Sequence, residues 1–201
     1  MKRLLPAILC SVLLLAGCGD DDGGPRTTGT IVCIGDSLTA GVHSVGPSYP
    51  SRLAAMTGRR VVNLGVGGAT SSDGVARVSK ALSYNPGVVC ILYGSNDPFN
   101  HISLSQSIEN IRSMARACKS NGVTAVLATP PPSMKPHADF NGRLADISEG
   151  VKAIGKEMGF QVVDLNTAIG ADREMYLNPK DGLHFSDAGG DFVAKKFESK
   201  L

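Results

Sequence analysis

The sequence predicts an α/β fold: a three-layer α/β/α sandwich around a five-stranded parallel sheet. Short apolar runs alternate with amphipathic segments from residue 30 onward, which is the pattern of parallel-sheet proteins. The runs are continuously apolar, so both faces of the sheet are expected to be buried. Gly58, Gly122 and Gly159 stand just before three of the predicted strands and indicate the ends of the preceding helices.

The strands and helices can be assigned in order along the chain. Runs rich in Val, Ile and Leu predict five strands: Thr30–Ile34, Arg60–Leu64, Gly87–Leu92, Val123–Ala128 and Gln161–Leu165. Apolar residues at helical spacing predict the clearest helices: Ser71–Leu82, Ser103–Lys119, Asn141–Met158 and a final Ser186–Lys200. The simplest strand order is the flavodoxin-like 2-1-3-4-5, which places a ligand crevice at the carboxyl ends of strands 1 and 3.

Length, composition and charge restrict the class of protein. The chain has 201 residues, 42% of them hydrophobic and 19% charged, which suits one globular domain. The net charge is +2, and it falls to about zero once the two cations Lys2 and Arg3 are removed with a signal segment. A near-neutral chain gives no electrostatic reason to expect nucleic acid as a partner. Aromatic content is 5% with no Trp, which disfavours a base-stacking or sugar-stacking surface.

The N-terminus has the organisation of a secretory signal. Lys2 and Arg3 precede an apolar stretch that is short for a membrane span and ends in Leu-Ala-Gly-Cys18. This ending resembles a bacterial lipobox, in which the cysteine is lipidated; an ordinary cleaved signal is the alternative. We expect a signal over 1–17, a flexible tether over 18–29 and a folded domain over 30–201. Gly19, where lipoproteins retained in the inner membrane carry Asp, favours an outer membrane facing an extracytoplasmic space.

The cysteines do not predict a metal site. Of five cysteines, Cys10 lies in the signal and Cys18 at the lipidation position, which leaves Cys33, Cys90 and Cys118. We expect these three to be small buried hydrophobes, with a Cys33–Cys90 bridge as the alternative. No Cys-x-x-Cys pair occurs, so neither zinc nor another metal is expected.

Four polar motifs follow predicted strands, in loops that the strand order brings to one edge of the sheet. Ser37 lies in Gly-Asp-Ser-Leu after strand 1, and Gly68 follows strand 2. Asn96 lies in Gly-Ser-Asn-Asp after strand 3, and Asp181 precedes His184 by three residues after strand 5. Together they supply a nucleophile, a base, a carboxylate and oxyanion donors, which is the chemistry of a serine hydrolase.

Each motif has an ordinary explanation when it stands alone. Gly-Asp-Ser and Asn-Asp-Pro are turn sequences, and a histidine can be a satisfied, partly buried side chain. His43, His101 and His137 compete as bases, but none has a carboxylate three residues before it, and we assign them to surface or substrate contact. A non-catalytic flavodoxin-like binding module is a further alternative, although no phosphate-binding glycine motif supports it.

The four motifs, in this order, resemble the blocks of the SGNH hydrolases, also called the GDSL esterase/lipase family. The resemblance covers the chain from Thr30 to its C-terminus. It implies Ser37 as nucleophile, His184 as base and Asp181 as the residue that orients it. It also implies an oxyanion hole from the backbone N–H groups of Ser37 and Gly68 and the Asn96 amide, with Gly65 a less suitable match than Gly68. No metal or organic cofactor is implied.

The expected activity is hydrolysis of carboxylic esters, or thioesters, through an acyl-enzyme. The resemblance implies short acyl esters or lysophospholipid-type molecules as substrates, and the short connecting loops argue against a deep tunnel for long chains. The loops over residues 41–48, 99–104 and 130–140 are expected to shape the pocket. An acyltransferase would share the acyl-enzyme and stays open as an alternative. We expect a monomer that contacts the membrane through its N-terminal lipid.

Overall fold

A computed structural model describes residues 29–201, and its centre is a five-stranded parallel sheet. The strands are β1 (Ile31–Gly35), β2 (Val61–Asn63), β3 (Val88–Leu92), β4 (Thr124–Ala128) and β5 (Gln161–Val163). Their order is β2-β1-β3-β4-β5 and every neighbouring pair is parallel, which confirms the predicted topology. The carboxyl ends of all five strands therefore lie at one edge of the sheet, and the strand order reverses between the neighbours β1 and β3.

Helices cover both faces of the sheet. They are α1 (Ser37–Ala40), α2 (Tyr49–Thr57), α3 (Ser71–Leu82), α4 (Leu104–Ser120), α5 (Asn141–Met158), α6 (Leu165–Gly170), α7 (Arg173–Tyr176) and α8 (Asp187–Glu198), with a 3₁₀ turn at Ala138–Phe140. Local sequence sets several of their ends. Thr70 and Asp73 form a reciprocal capping box at the start of α3, and Gly159 ends α5 in the left-handed conformation at φ +75°.

The core has two halves, one on each face of the sheet. Ile31 and Cys33 of β1 face α2 and α8, whereas Val32 and Ile34 face α3, α4 and α5. Every residue of β1 and β3 is buried, because these strands are covered on both sides. A rigid, fully packed centre thus carries the loops at the carboxyl edge.

The structure adds elements that the sequence did not predict. Strand β5 ends at Val163 rather than Leu165, because the Asp164 side chain accepts from the Thr167 N–H and starts α6. Helices α6 and α7 occupy a stretch between β5 and Asp181 for which no element had been predicted. Four-residue α1 is likewise an addition.

The three cysteines in the described region are buried free thiols. Cys33 and Cys90 are register partners on β1 and β3, and Cys118 lies on the inner side of α4. Their complete burial confirms the expectation of small core residues. Within residues 29–201, no helix has the length and apolarity needed to span a bilayer. The predicted signal, the lipidation site Cys18 and the tether up to residue 28 lie outside the described residues.

Candidate active site

The turn after β1 places the Ser37 side chain at the carboxyl edge of the sheet. The Asp36 carboxylate accepts from the Leu38 N–H at 2.9 Å and caps α1, so Ser37 becomes the first residue of that helix. Gly35 is required here, because a Cβ would collide with the Thr39 hydroxyl and the Leu92 carbonyl. Ser37 keeps 8% of its surface exposed, so its hydroxyl is held firmly yet reaches the cleft.

The loop before α8 brings His184 and Asp181 to the same hydroxyl. His184 Nε2 lies 3.0 Å from Ser37 Oγ, and His184 Nδ1 lies 3.0 Å from Asp181 Oδ2. The other carboxylate oxygen of Asp181 accepts from the backbone N–H groups of Leu183 and His184 at 2.8 and 2.9 Å. Since a carboxylate only accepts, Nδ1 carries the proton and Nε2 is free to accept from the Ser37 hydroxyl.

The Asp181 carboxyl is held in its ionised form. Partial burial raises its pKa, but the backbone N–H groups of His184 and Leu183 and the His184 ring outweigh that effect. The net result is a pKa below the usual value for an aspartate. At neutral pH the loop therefore presents a fixed negative charge to the imidazole.

Asn178 anchors this loop, and the sequence analysis missed it. Its backbone N–H donates to the His184 carbonyl at 2.7 Å, and its own carbonyl accepts from the Gly182 N–H at 2.8 Å. Its side-chain amide donates to the His43 carbonyl at 3.1 Å, which ties a second loop to the first. Asn178 is only 6% exposed. The Asn-Pro dipeptide that it forms with Pro179 is a turn signal and was the one hint in the sequence.

Asn96 and Gly68 complete the ring of side chains and backbone groups around Ser37. Asn96 Nδ2 donates one hydrogen to the Ala69 carbonyl at 2.9 Å, which leaves the second amide hydrogen available. Gly68 is in the left-handed conformation at φ +74° and borders open space, whereas Gly65 lies against the backbone of Thr39 and Ala40. Gly68 rather than Gly65 therefore faces the site.

A cleft of about 290 Å³ opens above the Ser37 hydroxyl. Four predicted site residues line it: Ser37, Gly68, Asn96 and His184. Val42, His43 and Leu183 contribute to the walls, and the His43 ring lies 5.2 Å from the His184 ring. The expectation for the pocket-forming loops was correct only for residues 41–48.

The other two predicted pocket loops line neighbouring cavities. Residues from 98 to 102 border a cavity of about 370 Å³ with Phe140 and Arg143. Residues from 133 to 138 border a cavity of about 630 Å³ with residues 170–175. The larger cavity contains none of the predicted catalytic residues, although the Met134 N–H donates to the carbonyl of Gly182, in the loop that carries Asp181 and His184, at 2.7 Å. Neither His101 nor His137 lines the cleft above Ser37; His101 borders the cavity of about 370 Å³, and the His137 ring lies edge-on to Phe99 at 5.4 Å.

In the part of the chain from residue 29 to its end, no group of three or more His, Cys, Asp or Glu side chains is placed to hold a metal ion.

Comparison with known proteins identifies the family. The sequence profile of the GDSL-like lipase/acylhydrolase family matches residues 33–191. The chain is 28% identical over 204 residues to the cattle (Bos taurus) isoamyl acetate-hydrolyzing esterase 1 homolog, covering 85% of this chain and 80% of that protein.

Solved structures show the same architecture. A lipase/acylhydrolase from Enterococcus faecalis superposes with a TM-score of 0.74 at 26% identity, covering 86% of this chain and 94% of that one. A catalytic mutant of an acetylxylan esterase from Geobacillus stearothermophilus shares the fold with a TM-score of 0.69 at 24% identity, covering 86% and 93%. The chain belongs to the GDSL-like lipase/acylhydrolase (SGNH) family, and it is a carboxylic ester hydrolase.

Proposed function

We propose that this enzyme hydrolyses esters of short acyl chains through a Ser37–His184–Asp181 triad and an acyl-enzyme. The observation that carries the proposal is the continuous hydrogen-bonded chain from Ser37 Oγ through His184 to Asp181, with 3.0 Å at each step. Nucleophile, base and orienting carboxylate stand at the spacing that proton transfer requires.

The roles follow from the geometry. Ser37 Oγ attacks the ester carbonyl carbon while His184 Nε2 takes the hydroxyl proton and then delivers it to the leaving oxygen. Asp181 holds the imidazole in the tautomer with the proton on Nδ1 and stabilises the imidazolium that forms. Water then attacks the acyl-enzyme by the same route, and an open cleft gives it access. The same intermediate would serve transfer to an alcohol, so product analysis with and without an acceptor alcohol separates the two reactions.

Three donors are proposed to bind the oxyanion: the Ser37 and Gly68 N–H groups and the second Asn96 amide hydrogen. Among the described residues, neither N–H has an acceptor of its own, so both are available. Asn96 is fixed by its bond to the Ala69 carbonyl, in the loop that carries Gly68. Preorganised donors of this kind stabilise developing charge without a reorganisation cost.

The size of the cleft favours a short acyl group. A volume of about 290 Å³ lies at the lower end of small-molecule sites, and it must also admit part of the alcohol. The name of the cattle relative refers to an acetate ester, which is consistent with this class.

Active-site labelling tests the proposal. A fluorophosphonate probe should label the wild-type protein once, at Ser37, and Ser37→Ala should abolish labelling and ester hydrolysis. Ser83→Ala is a matched control, because the Ser83 hydroxyl bonds to the Lys80 carbonyl at the far end of α3. A folded Ser37→Ala variant with full esterase activity would refute the triad.

We also propose that the enzyme is a bacterial lipoprotein anchored through Cys18 and facing an extracytoplasmic space. The proposal rests on the sequence: a basic start, an apolar stretch, Leu-Ala-Gly-Cys18 and an Asp- and Gly-rich tether. More than one acyl chain is needed for stable anchoring, at about 0.8 kcal/mol per buried CH₂.

A further inference from the structure

Two carboxyl groups that the triad does not use are buried directly behind the cleft. Asp36 precedes Ser37, and Asp97 follows Asn96; both have no exposed surface. One oxygen of each has a clear role. Asp36 Oδ1 accepts from the Leu38 N–H at 2.9 Å, and Asp97 Oδ1 accepts from the Ser71 N–H at 2.8 Å.

The second oxygen of each carboxyl group is buried without a hydrogen-bond partner. Asp36 Oδ2 and Asp97 Oδ2 are both in this state, and so is the hydroxyl of Ser95, which is 3% exposed. Within residues 29–201, neither carboxylate forms an ion pair with a Lys, Arg or His side chain. Burying two interacting negative charges without a counter-ion is costly, and a proton on one of them reduces the cost.

The electrostatics of Asp36 agree with this arrangement. Burial raises the pKa of its carboxyl from the usual 3.8 to about 7; the Leu38 N–H lowers it, and the charge on Asp97 raises it. Tyr93 at the end of β3 and Tyr49 of α2 also interact with Asp36. Burial raises the pKa of Tyr93 to about 12 and that of Tyr49 well above 10, so neither ionises near neutral pH. Arg77 and Asp73 of α3 act on the Tyr93 hydroxyl.

We propose that Asp36 is a protonated positioning residue, whose Oδ2–H donates to the Asp97 carboxylate and thereby joins the nucleophile loop to the oxyanion loop. This inference rests on the proposed catalytic function. The proton supplies a donor between two carboxylate oxygens that otherwise lack a partner, Asp36 Oδ2 and Asp97 Oδ2, and low polarity around it strengthens the bond.

The bond would couple three loops that supply the reacting groups. Asp36 caps the helix that begins at Ser37, and Asp97 follows Asn96. Asp97 also holds Ser71, at the end of the loop that carries Gly68. Loss of the Asp36 proton would leave two buried, mutually repelling charges and loosen the position of the oxyanion donors relative to Ser37. We expect kcat to fall at alkaline pH while KM stays nearly constant, because the donors act mainly in the transition state.

The protonation state can be measured without any reference to activity. The carboxyl carbons of the aspartates should be followed by ¹³C NMR against pH in the Ser37→Ala protein and, separately, in the wild type. One buried carboxyl should titrate near pH 7, and Asp36→Asn should remove that signal. In Asp97→Asn, the Asp36 titration should move to lower pH, because repulsion is lost and an amide donor is supplied. Absence of a titration near pH 7, or a titration that Asp97→Asn leaves in place, would overturn the proposal.

Thermal unfolding gives a second readout, and its sign follows from linkage. The folded pKa of Asp36 lies above the unfolded value, so its stabilising contribution is complete below pH 3.8 and is lost as pH rises through about 7. The Tm of Asp36→Asn minus that of its parent should therefore increase between pH 5 and pH 8, to a first approximation. Asp164→Asn is the matched control. Asp164 also caps a helix, but its hydrogen bonds outweigh partial burial and lower its pKa, so the Tm difference between Asp164→Asn and its parent should not change between pH 5 and pH 8. A flat difference for Asp36→Asn would contradict the proposal.

Steady-state kinetics then distinguish whether Asp36 acts as a hydrogen-bond donor or as a negative charge. Asp36→Asn keeps a donor and an acceptor, so it should lower kcat much less than Asp36→Leu does and should lose the alkaline decline. Asp36→Leu leaves Asp97 and the Leu38 N–H without partners and should lower kcat about tenfold or more. Equal losses in the two variants would show that a negative charge is needed and would refute the role given to Asp36. If Ser37→Ala stayed active, the triad would fail while the titration of Asp36 would still be measured.

Discussion

Replacing Asn96 by Ala tests the oxyanion hole most directly. Asn96 Nδ2 has two hydrogens: one donates to the Ala69 carbonyl at 2.9 Å, and the other is proposed to meet the oxyanion. Loss of one oxyanion donor typically lowers turnover by about 10²–10³, or about 2.7–4 kcal/mol of transition-state stabilisation. Because the oxyanion exists only in the transition state and the intermediate, KM should change little.

The structural cost of the same change is smaller and can be measured separately. Losing the bond to the Ala69 carbonyl should cost about 0.5–1.5 kcal/mol of folding free energy. For a domain of this size, about 1 kcal/mol lowers Tm by about 2–4 °C. Turnover should thus fall by at least two orders of magnitude in a protein that remains fully folded at the assay temperature.

Steady-state kinetics on aryl esters with Tm measured alongside provides the assay. Asn121→Ala is the matched control, because Asn121 Nδ2 donates to the Ala117 carbonyl at 2.8 Å at the end of α4, away from the cleft. It should lower Tm by no more than Asn96→Ala and leave kcat unchanged. If Asn96→Ala kept kcat within a small factor of the wild type, Asn96 would be a structural turn residue and the oxyanion assignment would be wrong.

Three further predictions concern the triad, the glycines and the anchor. Asp181→Asn should lower kcat far more than it alters KM, and unchanged kcat would remove Asp181 from the triad. The same variant should lose less stability in acid than the wild type. The lowered pKa of Asp181 stabilises the fold at pH values above the usual aspartate pKa, and that contribution disappears as pH falls. Gly65→Ala should lower Tm, because the new Cβ would collide with the backbone of Ala40. Gly68 borders open space but has φ +74°, so Gly68→Ala should lower the folding stability by about 1–2 kcal/mol and mainly reduce kcat. The reverse pattern would favour Gly65 as the oxyanion donor. Cys18→Ser should abolish labelling with a fatty-acid probe, and a wild-type protein with a free, unmodified N-terminus would contradict the anchor.

The sequence by itself determined the sheet and singled out the residues proposed to react. Uninterrupted runs such as residues 88–92 had to become buried strands, since both faces are apolar, and right-handed crossovers left one simple strand order. That order alone places Ser37, Gly68 and Asn96 at one edge, because the carboxyl ends of parallel strands coincide there. The ends of α3 and α5 were also fixed locally, by a capping box and by Gly159.

Only the tertiary structure decided how these residues are held. Ser37 and His184 are 147 residues apart, and no local pattern gives the 3.0 Å between their side chains. Asn178 anchors the His184 loop through contacts that depend on how α6 and α7 return the chain. The loops over residues 99–104 and 130–140, which were predicted to shape the cleft, line neighbouring cavities instead, because loop direction depends on packing rather than composition. The complete burial of Asp36 and Asp97 also arises only when β1 and β3 lie side by side, since desolvation of a carboxyl group depends on the packing of the whole folded chain.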